Sequence, residues 1–408
     1  MSFYDHIIVG GGILGASIAY HLSRKSNESI LVLERNEFAS GASSHSAGLV
    51  LQGSTKKSNV PLAKKTVEVI SQLEEELGDT VGYHKTGSLR LASSKERVDE
   101  LNSMIETAST FNVDVSVPND QDIKRMAPWL NQEEIKQAAF FSTDGYVDSY
   151  LLTWSYIKAA RNNGVKFSSK LAATDIITDG SKICGINTAG GKIFSPNLIL
   201  AGGVWTSLLA SKMEVSIAAA PVRSHYWLTE PDPYYGSEGS ITIMPDISAY
   251  TRPELGGLLV GVQENECAVF DARKLPENLE YFSATLGEDH WDILLNSYSD
   301  LSRFFPKIES ANFSSYISGL SSYTPDGEII LGPITEINGL YVAAGDCGSG
   351  VSLSGGVGSV ISEIILNGES DLFSSSFMPN RFGKVDPFDI GFLNKCAMAR
   401  SAKSRKMK

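Results

Sequence analysis

Two short segments combine an arginine with a residue that can accept a proton, at the two-residue spacing of a β-strand. Arg223 and His225 form one pair, and Tyr250 and Arg252 form the other. Residues i and i+2 share one face of a strand. Guanidinium groups bind carboxylates in a two-pronged geometry, and imidazole or phenol can take a proton from an amine. The pairs therefore predict a site for a small carboxylate-bearing amine, with His225 and Tyr250 catalytic and Arg223 and Arg252 holding the substrate.

A histidine follows the second of two short apolar strands near the start of the sequence. His45 lies in the run GASSHSAGL, residues 41–49, and the preceding strand Ile30–Leu33 ends at Glu34. The loop after such a strand is expected to run over a bound nucleotide cofactor. We therefore interpret His45 as a residue that contacts the cofactor and is placed to be bonded to it.

The elements that would position this histidine begin with a glycine-rich loop. The apolar strand Ile7–Val9 runs directly into the motif GGGILG and then into a helical pattern. Gly10 permits the tight turn, Gly12 lets the backbone approach a pyrophosphate, and Gly15 lets the helix pack against the strand. The N–H groups at the helix start favour a phosphate. Glu34 lies at the spacing of a carboxylate that accepts from an adenosine ribose hydroxyl, so the segment predicts a dinucleotide site.

A second glycine-rich loop indicates that this dinucleotide is FAD rather than NAD. The strand Leu340–Ala344 leads into GDCGSGVSLSGGVG, and a helical pattern continues to Leu366. NAD enzymes need one such loop, whereas a reduced flavin carries negative charge at its pyrimidine edge that a second helix start can hold. The residues predicted to contact FAD are Gly10, Gly12, Ile13, Leu14, Gly15, Glu34, Arg35, Ser43, Ser44, His45, Ala47, Gly48, Leu49, Gly202, Trp205, Gly345, Gly350, Val351 and Ser352.

The order of these patterns predicts two interleaved domains. Buried-strand patterns occur at both ends and at Asn197–Leu200, while alternating patterns with aromatic residues fill the regions between them. The predicted fold class is α/β plus α+β, a Rossmann-like FAD-binding domain with an inserted, mainly antiparallel-sheet substrate domain. The predicted bounds are 1–85, 140–215 and 320–375 for the FAD-binding domain, 86–139 and 216–319 for the substrate domain, and 376–408 for a C-terminal extension with a flexible basic tail.

Composition excludes several other classes of protein. The net charge of −12 argues against nucleic-acid binding. No apolar run reaches the roughly 18 residues of a membrane span. Six residues precede the first apolar strand, which leaves no expected signal peptide. No metal-type or disulfide spacing relates the four cysteines, so we expect no metal site and a cytoplasmic location; they are Cys184, Cys267, Cys347 and Cys396.

Five stretches together carry a family resemblance over nearly the whole chain. They are SHSAGL at 44–49, VGYHKTGSLRLA at 81–92, YTRPE at 250–254, YTPDG at 323–327 and SGGVG at 354–358. The chain resembles the FAD-dependent amine oxidoreductases of the D-amino-acid oxidase group. Within that group it is similar to the flavin part of the dimethylglycine and sarcosine dehydrogenases and dimethylglycine oxidase.

The resemblance implies roles for two residues. His45 would carry FAD through a bond from a ring nitrogen to the 8-methyl carbon of the flavin. Tyr250 would correspond to the tyrosine that assists amine deprotonation. The implied reaction is oxidation of a small secondary or tertiary amine, such as an N-methylated amino acid, by hydride transfer to FAD and hydrolysis of the iminium. When a methyl group is oxidised, the second product would be formaldehyde.

The chain departs from the family pattern at its histidine and at two further positions. The family has Pro-Val-x-His-x-Tyr, but residues 221–226 read PVRSHY, so Ser224 takes the histidine position and His225 follows it. A one-residue shift moves a side chain to the opposite face of a strand unless a bulge restores it. Ser322 lies in the region where monomeric sarcosine oxidases attach flavin through cysteine, and Ser352 takes the place of their substrate lysine.

Two other functions remain open from the sequence. One is oxidation of a primary or cyclic amino acid such as glycine, proline or a D-amino acid. The other is a flavin-bearing subunit of a larger electron-transfer complex. The expected partners are a small amine or amino acid and either oxygen or an electron-transfer protein as oxidant, in a homo- or hetero-oligomer without nucleic acid or a membrane span.

Overall fold

The computed structural model describes residues 2–236, 239–279, 282, 284 and 290–403. Its helices are α1 (Ile13–Lys25), α2 (Asn59–Leu77), α3 (Lys95–Thr110), α4 (Asp120–Met126), α5 (Ser149–Asn162), α6 (Thr206–Ser211), α7 (His290–Asn296), α8 (Tyr298–Phe304), α9 (Gly350–Asn367) and α10 (Ile390–Ser401). Its strands are β1 (Ser2–Phe3), β2 (His6–Val9), β3 (Ile30–Leu33), β4 (Leu49–Val50), β5 (Tyr83–His84), β6 (Ser88–Ala92), β7 (Val115–Ser116), β8 (Gln137–Phe141), β9 (Gly145–Val147), β10 (Lys166–Ser168), β11 (Ala173–Asp179), β12 (Lys182–Thr188), β13 (Gly191–Phe194), β14 (Asn197–Leu200), β15 (Ala220–Thr229), β16 (Ile241–Met244), β17 (Ala249–Glu254), β18 (Gly257–Val262), β19 (Phe313–Tyr323), β20 (Ile330–Pro333) and β21 (Leu340–Ala344).

The nucleotide-binding sheet joins apolar strands from both ends and the middle of the chain. Its order is β10-β3-β2-β14-β21-β20, parallel except for the antiparallel β20–β21 pair. Continuous apolar runs suit a parallel sheet that is covered on both faces. Ile8, Val32 and Ile199 pack in one buried cluster with the helices, whereas Ile7 and Leu31 belong to the cluster on the other face.

Helix α9 packs tightly in the interior because its glycines let neighbouring helices approach. A methyl group added at Gly356 would overlap the backbone of Leu62 on α2, and one at Gly358 would crowd Ser17 on α1. By length and composition α9 is the one helix in the described residues that could cross a membrane, but 78% of that stretch is buried within the protein. Such burial is typical of the core helix of a globular domain, so this is weak evidence for a span.

The other face of the nucleotide sheet is covered by the sheet β1-β13-β12-β11 and by α10. Asp389 accepts the N-cap hydrogen bond of α10 from Phe392 N at 3.0 Å, and Phe392, Leu393 and Cys396 pack in the core. The sequence predicts a flexible basic tail within the extension 376–408, whereas the described part of that extension, which ends at residue 403, docks through these apolar side chains. Arg405, Lys406 and Lys408 of the expected tail lie outside the described residues.

The substrate sheet has the order β19-β15-β18-β17-β16-β6-β8-β7, and all its neighbours pair antiparallel except β16 and β6. The predicted mainly antiparallel sheet is therefore present. Two of its strands extend past the predicted domain bounds, since β8 continues to Phe141 and β19 continues to Tyr323. These strands lead directly into segments that surround the nucleotide-binding sheet.

Candidate active site

The glycine motif forms a cradle at the carboxyl end of β2. Gly10 has a φ of +118°, and a methyl group there would overlap the carbonyl oxygen of Ala201. A methyl group at Gly15 would overlap the carbonyl oxygen of Gly10, so both positions require glycine. The carboxylate of Glu34 accepts from Gly11 N at 2.8 Å and from Asn36 N at 2.8 Å, which fixes the loop at the end of β3.

A first cavity of about 210 Å³ lies above this cradle. At one wall of this cavity, the guanidinium carbon of Arg35 lies 4.9 Å from the centroid of the Trp205 ring. The predicted cofactor residues that line this cavity are Gly10, Gly12, Ile13, Leu14, Glu34, Arg35, Ser43, Gly202, Trp205 and Gly345. The lining suits the adenosine and pyrophosphate of a dinucleotide, because the glycine backbone and the α1 N-terminus can approach phosphates.

A second cavity of about 640 Å³ shares Ile13, Ser43 and Asp346 with the first, so the two form one extended groove. The predicted cofactor residues that line the second cavity are Ile13, Ser43, His45, Ala47, Leu49, Gly350, Val351 and Ser352. Three predicted contacts line neither cavity. Gly15 and Gly48 pack against backbone, and Ser44 donates to Gly41 O at 3.0 Å.

The N-terminus of α9 opens into the second cavity. The half-buried carboxylate of Asp346 accepts from the backbone N–H groups of Gly348 and Gly350, and desolvation raises its pKa. Ser352 donates to Leu49 O at 2.8 Å and accepts from Leu51 N at 3.1 Å, which joins the helix start to the loop after His45. A helix start exposed to a cavity favours negative charge, so this end of the groove fits the pyrimidine edge of a flavin.

His45 faces the second cavity with one ring nitrogen already bound. Nδ1 lies 3.0 Å from Gly41 O, and because a carbonyl only accepts, this contact assigns a proton to Nδ1; in the neutral imidazole the lone pair is then on Nε2. The ring packs on Gly319, where a methyl group would lie 2.6 Å from the His45 Cβ. Gly319 therefore makes room for the imidazole at the wall of the cavity.

One row of directly opposed residues crosses five strands of the substrate sheet. Tyr226 pairs with Gly261, Gly261 with Tyr250, Tyr250 with Ile243, and Ile243 with Arg90. Directly opposed residues share a face of the sheet, and all four side chains of this row line the second cavity. The Tyr250 ring lies over Gly261, where any side chain would overlap it. Burial raises the pKa of Tyr250, and it raises that of Tyr226 to about 12.

This register corrects the prediction for Arg223 and Arg252. Arg223 is offset by an odd number of residues from Tyr226, so it lies on the opposite face, where it forms a buried ion pair with Glu264 at 2.7 Å. Arg252 shares the Tyr250 face, but its Nε donates to Ala47 O at 2.7 Å and its guanidinium pairs with Glu254. Neither arginine lines the groove, so neither is placed to bind substrate.

The catalytic role predicted for His225 is also not supported by its position. Its side chain follows the face of Trp227, with ring centroids 4.8 Å apart, and Ser224 takes the cavity face. The pairing of β15 with β19 is regular through these residues, so no bulge reverses the faces. His225 still borders the cavity, but burial lowers its pKa to about 3 and makes it a weak base.

The C-terminal helix contributes residues that the sequence interpretation missed. Arg400 and Lys403 line the second cavity, and Lys403 donates to Cys347 O at 2.8 Å. Both had been assigned to a flexible basic tail. The signal that would have found them is the apolar spacing of Phe392, Leu393 and Cys396, which predicts a docked helix face that also includes Arg400.

Asp144 connects the cofactor loop to the substrate sheet. Its buried carboxylate accepts from Gln52 N at 2.9 Å and from Ser88 Oγ at 2.6 Å. Ser88 begins β6, the strand that carries Arg90. Burial raises the pKa of Asp144 to about 6, against the effect of these hydrogen bonds.

We expect Asp144→Ala to lower the free energy of unfolding by about 2–3 kcal/mol, because buried donors lose their acceptor. The pKa of Asp144 in the folded state lies above the ordinary 3.8, so the folded protein binds this proton more tightly than the unfolded chain does. This preference stabilises the fold below about pH 4, and the contribution is lost as the pH rises through about 6. Asp144→Asn should remove that pH dependence. Urea unfolding at several pH values between 4 and 7 measures both effects, with the exposed Asp79→Asn as control. An Asp144→Asn protein with the wild-type pH slope would contradict this account.

Comparisons with known proteins identify the family of this chain. Residues 5–364 match the family described as DAO, FAD dependent oxidoreductase. The chain is 28% identical to rat dimethylglycine dehydrogenase, mitochondrial, covering 93% of this chain and 45% of that protein. It is 30% identical to 4-methylaminobutanoate oxidase (formaldehyde-forming) of Paenarthrobacter nicotinovorans, covering 92% and 45%. The chain thus spans about half the length of these relatives.

A solved structure supports the fold independently. L-proline dehydrogenase from P. horikoshii matches with a TM-score of 0.82 and 23% identity, covering 93% of this chain and 98% of that one. At this identity the likeness concerns the fold alone. Among the described residues no group of three or more His, Cys, Asp or Glu side chains could hold a metal ion. Because the family match spans most of its length, this chain belongs to the DAO family of FAD-dependent oxidoreductases.

Proposed function

We propose that this protein oxidises a small secondary or tertiary amine that carries a carboxylate, such as an N-methylated amino acid, using FAD bonded to His45. The observation that carries the proposal is the single cavity lined by His45, the start of α9 and the aromatic row containing Tyr250. The names of two relatives, dimethylglycine dehydrogenase and 4-methylaminobutanoate oxidase (formaldehyde-forming), favour N-methylated substrates.

The residues of the cavity bind the uncharged amine and do not act as strong bases. Bound FAD supplies the acceptor for a hydride and its electron pair. Burial keeps the phenol of Tyr250 protonated, so it can hydrogen-bond the amine but not deprotonate it at neutral pH. A cavity with these buried aromatic walls favours the uncharged amine, whose lone pair stabilises the iminium as the hydride leaves. Water then adds to the iminium and releases the dealkylated amine and an aldehyde.

The tautomer of His45 supports the proposed attachment of FAD. Nδ1 donates to Gly41 O, which leaves Nε2 as the nucleophilic nitrogen. Ser44 Oγ lies 3.1 Å from the same Nδ1 and helps to fix the ring. Alkylation of a neutral imidazole at Nε2 gives an imidazolium, and in that form Nδ1 still donates to Gly41 O, so attachment requires no rearrangement of the loop.

We expect the flavin to stay with the polypeptide after denaturation in acid. The measurement is flavin fluorescence of the protein band on a denaturing gel, together with the absorbance of the supernatant. His45→Ala should release all flavin into the supernatant, whereas His84→Ala, which changes an exposed histidine outside the groove, should retain it. Free flavin from the wild type would rule out the attachment, and bound flavin in His45→Ala would place it elsewhere.

The alternative substrate class is a primary or cyclic amino acid. One observation favours it: glycine oxidase of Geobacillus kaustophilus is 27% identical and is covered over 98% of its own length. Anaerobic mixing with dimethylglycine, sarcosine, glycine, proline and D-alanine distinguishes the classes by bleaching of the flavin absorbance. We expect the N-methylated compounds to bleach it fastest and to yield formaldehyde. Faster bleaching by glycine or proline would favour the alternative.

The same experiment tests a role as a flavin-bearing subunit. A protein that only relays electrons would not be reduced by any amine when isolated. We propose that the isolated chain is reduced, because the Tyr250 row and His45 line one cavity of this chain. Reoxidation by air, compared with reoxidation by an artificial electron acceptor, then identifies the class of oxidant.

A further inference from the structure

The cavity receives a cation from a part of the chain that the family match does not include. The match ends at residue 364, whereas α10 spans Ile390–Ser401. This helix packs beside the first residues of β15 and the last of β19, with Cys396 against that core. Ser401 Oγ contacts Cys267 Sγ at 3.3 Å and fixes the end of the helix. The last turn of α10 is thereby held at the wall of the second cavity.

The guanidinium of Arg400 is buried at this wall, and no counterion for it is present among the described residues. Arg400 is only 4% exposed, and its Nε and Nη1 atoms have no hydrogen-bond partner in the described part of the chain. Within the same residues no carboxylate lies at ion-pair distance from it, and the buried Glu264 is paired with Arg223. A buried, unpaired charge is strongly destabilising, so an anion delivered to this position would be bound tightly.

Neutral polar side chains share the second cavity with Arg400. Ser224, Gln263 and Tyr250 line the same cavity, and the Oε1 atom of Gln263 also lacks a partner among the described residues. Burial opposes the charge on Arg400, but a guanidinium keeps its proton in proteins even when it is buried. Arg400 therefore stays charged beside Tyr250.

We propose that Arg400 binds the carboxylate of the amino-acid substrate, so that the C-terminal helix supplies the cation that strand arginines were predicted to supply. The inference rests on the proposed function. It explains how the site can hold a carboxylate although the guanidinium groups of Arg223 and Arg252 are already engaged by Glu264 and Glu254. A carboxylate held at Arg400 places the rest of a small amino acid in the cavity that Tyr250 and His45 line.

The test compares ligands that differ only in charge. Acetate affinity is measured from the anaerobic change in flavin absorbance of the FAD-loaded protein. The affinities of dimethylglycine and of its neutral amide are taken from the dependence of the flavin bleaching rate on their concentration. Arg400→Met should weaken acetate and dimethylglycine binding about 30-fold or more, because a buried charged group loses its partner, while affinity for the amide changes less than about threefold. Lys395→Met removes an exposed cation from the same helix and should change none of these values.

Several results would overturn the proposal. Equal weakening of the acid and the amide would indicate that Arg400 acts on the flavin or on the fold, and unchanged acetate binding would exclude Arg400 as the receptor. If Arg400→Met does not accumulate, Arg400→Lys serves instead. Lysine keeps the charge but loses the two-pronged contact, so acetate should bind about tenfold more weakly and the amide normally. A wild-type protein that binds acetate but is bleached by no amine would refute the proposed function without refuting Arg400.

Discussion

Gly15→Ala should yield a protein with less than about a tenth of the wild-type flavin content. The added methyl group would overlap the carbonyl oxygen of Gly10, and overpacking of this kind costs about 1–3 kcal/mol or more. Relief requires movement of the glycine loop, which is the surface that must approach the pyrophosphate. The site is lost because its shape comes from backbone rather than from side chains that could adjust.

Gly41→Ala is the matched control for this change. Gly41 lines the first cavity, but a methyl group there would meet no atom within 4 Å. The ratio of flavin to protein absorbance in the purified variants gives the result, with circular dichroism to verify the fold. A folded Gly15→Ala protein with full flavin content would show that the loop does not hold the cofactor as argued.

Tyr250→Phe should lower the rate constant of anaerobic flavin reduction about tenfold to a hundredfold while the flavin remains bound. The phenol of Tyr250 lies in the cavity-facing row, directly opposite Gly261. Loss of its hydrogen bond to the reacting amine costs about 1–3 kcal/mol. Gly261→Ala should have a similar effect, because its methyl group would displace the Tyr250 ring. Stopped-flow absorbance measures both, and Tyr341→Phe, outside the groove, serves as control.

The pH profile separates this role from general base catalysis. Burial raises the pKa of Tyr250 and lowers that of His225 to about 3, so neither group titrates between about pH 5 and 9. The reduction rate should therefore follow the ionisation of the amine itself, and the profile should shift when amines of different pKa are compared. A profile that is independent of the amine but is abolished by Tyr250→Phe would restore the tyrosine as the base.

The sequence was sufficient for features that depend on local spacing. The glycine motif, Glu34 and the loop before α9 lie in the groove because each follows directly from a strand that ends there. His45 could be placed for the same reason. Face parity within each strand was also correct, since Tyr250 and Arg252 do share a face.

The errors arose where one strand had to be related to another. Parity alone could not decide whether the odd or the even residues of β15 share the face of Tyr250, and the pairing through Gly261 selects Tyr226 and Ser224. Arg223 and His225 consequently fall on the other side. Arg400 could not be placed from its charge alone, because its burial follows from the apolar residues that precede it on α10.

The position of β21 and α9 determines when the cofactor site can first exist during synthesis. β21 lies between β14 and β20 in the nucleotide sheet, and α9 fills the space between α1 and α2. The glycine motif at the start of the chain therefore leaves the ribosome more than 300 residues before its packing partners. Contacts so distant in sequence form late and slowly. Flavin loading should consequently wait until α9 has been synthesised, and the apolar face of α1 that α9 covers needs protection by chaperones until then.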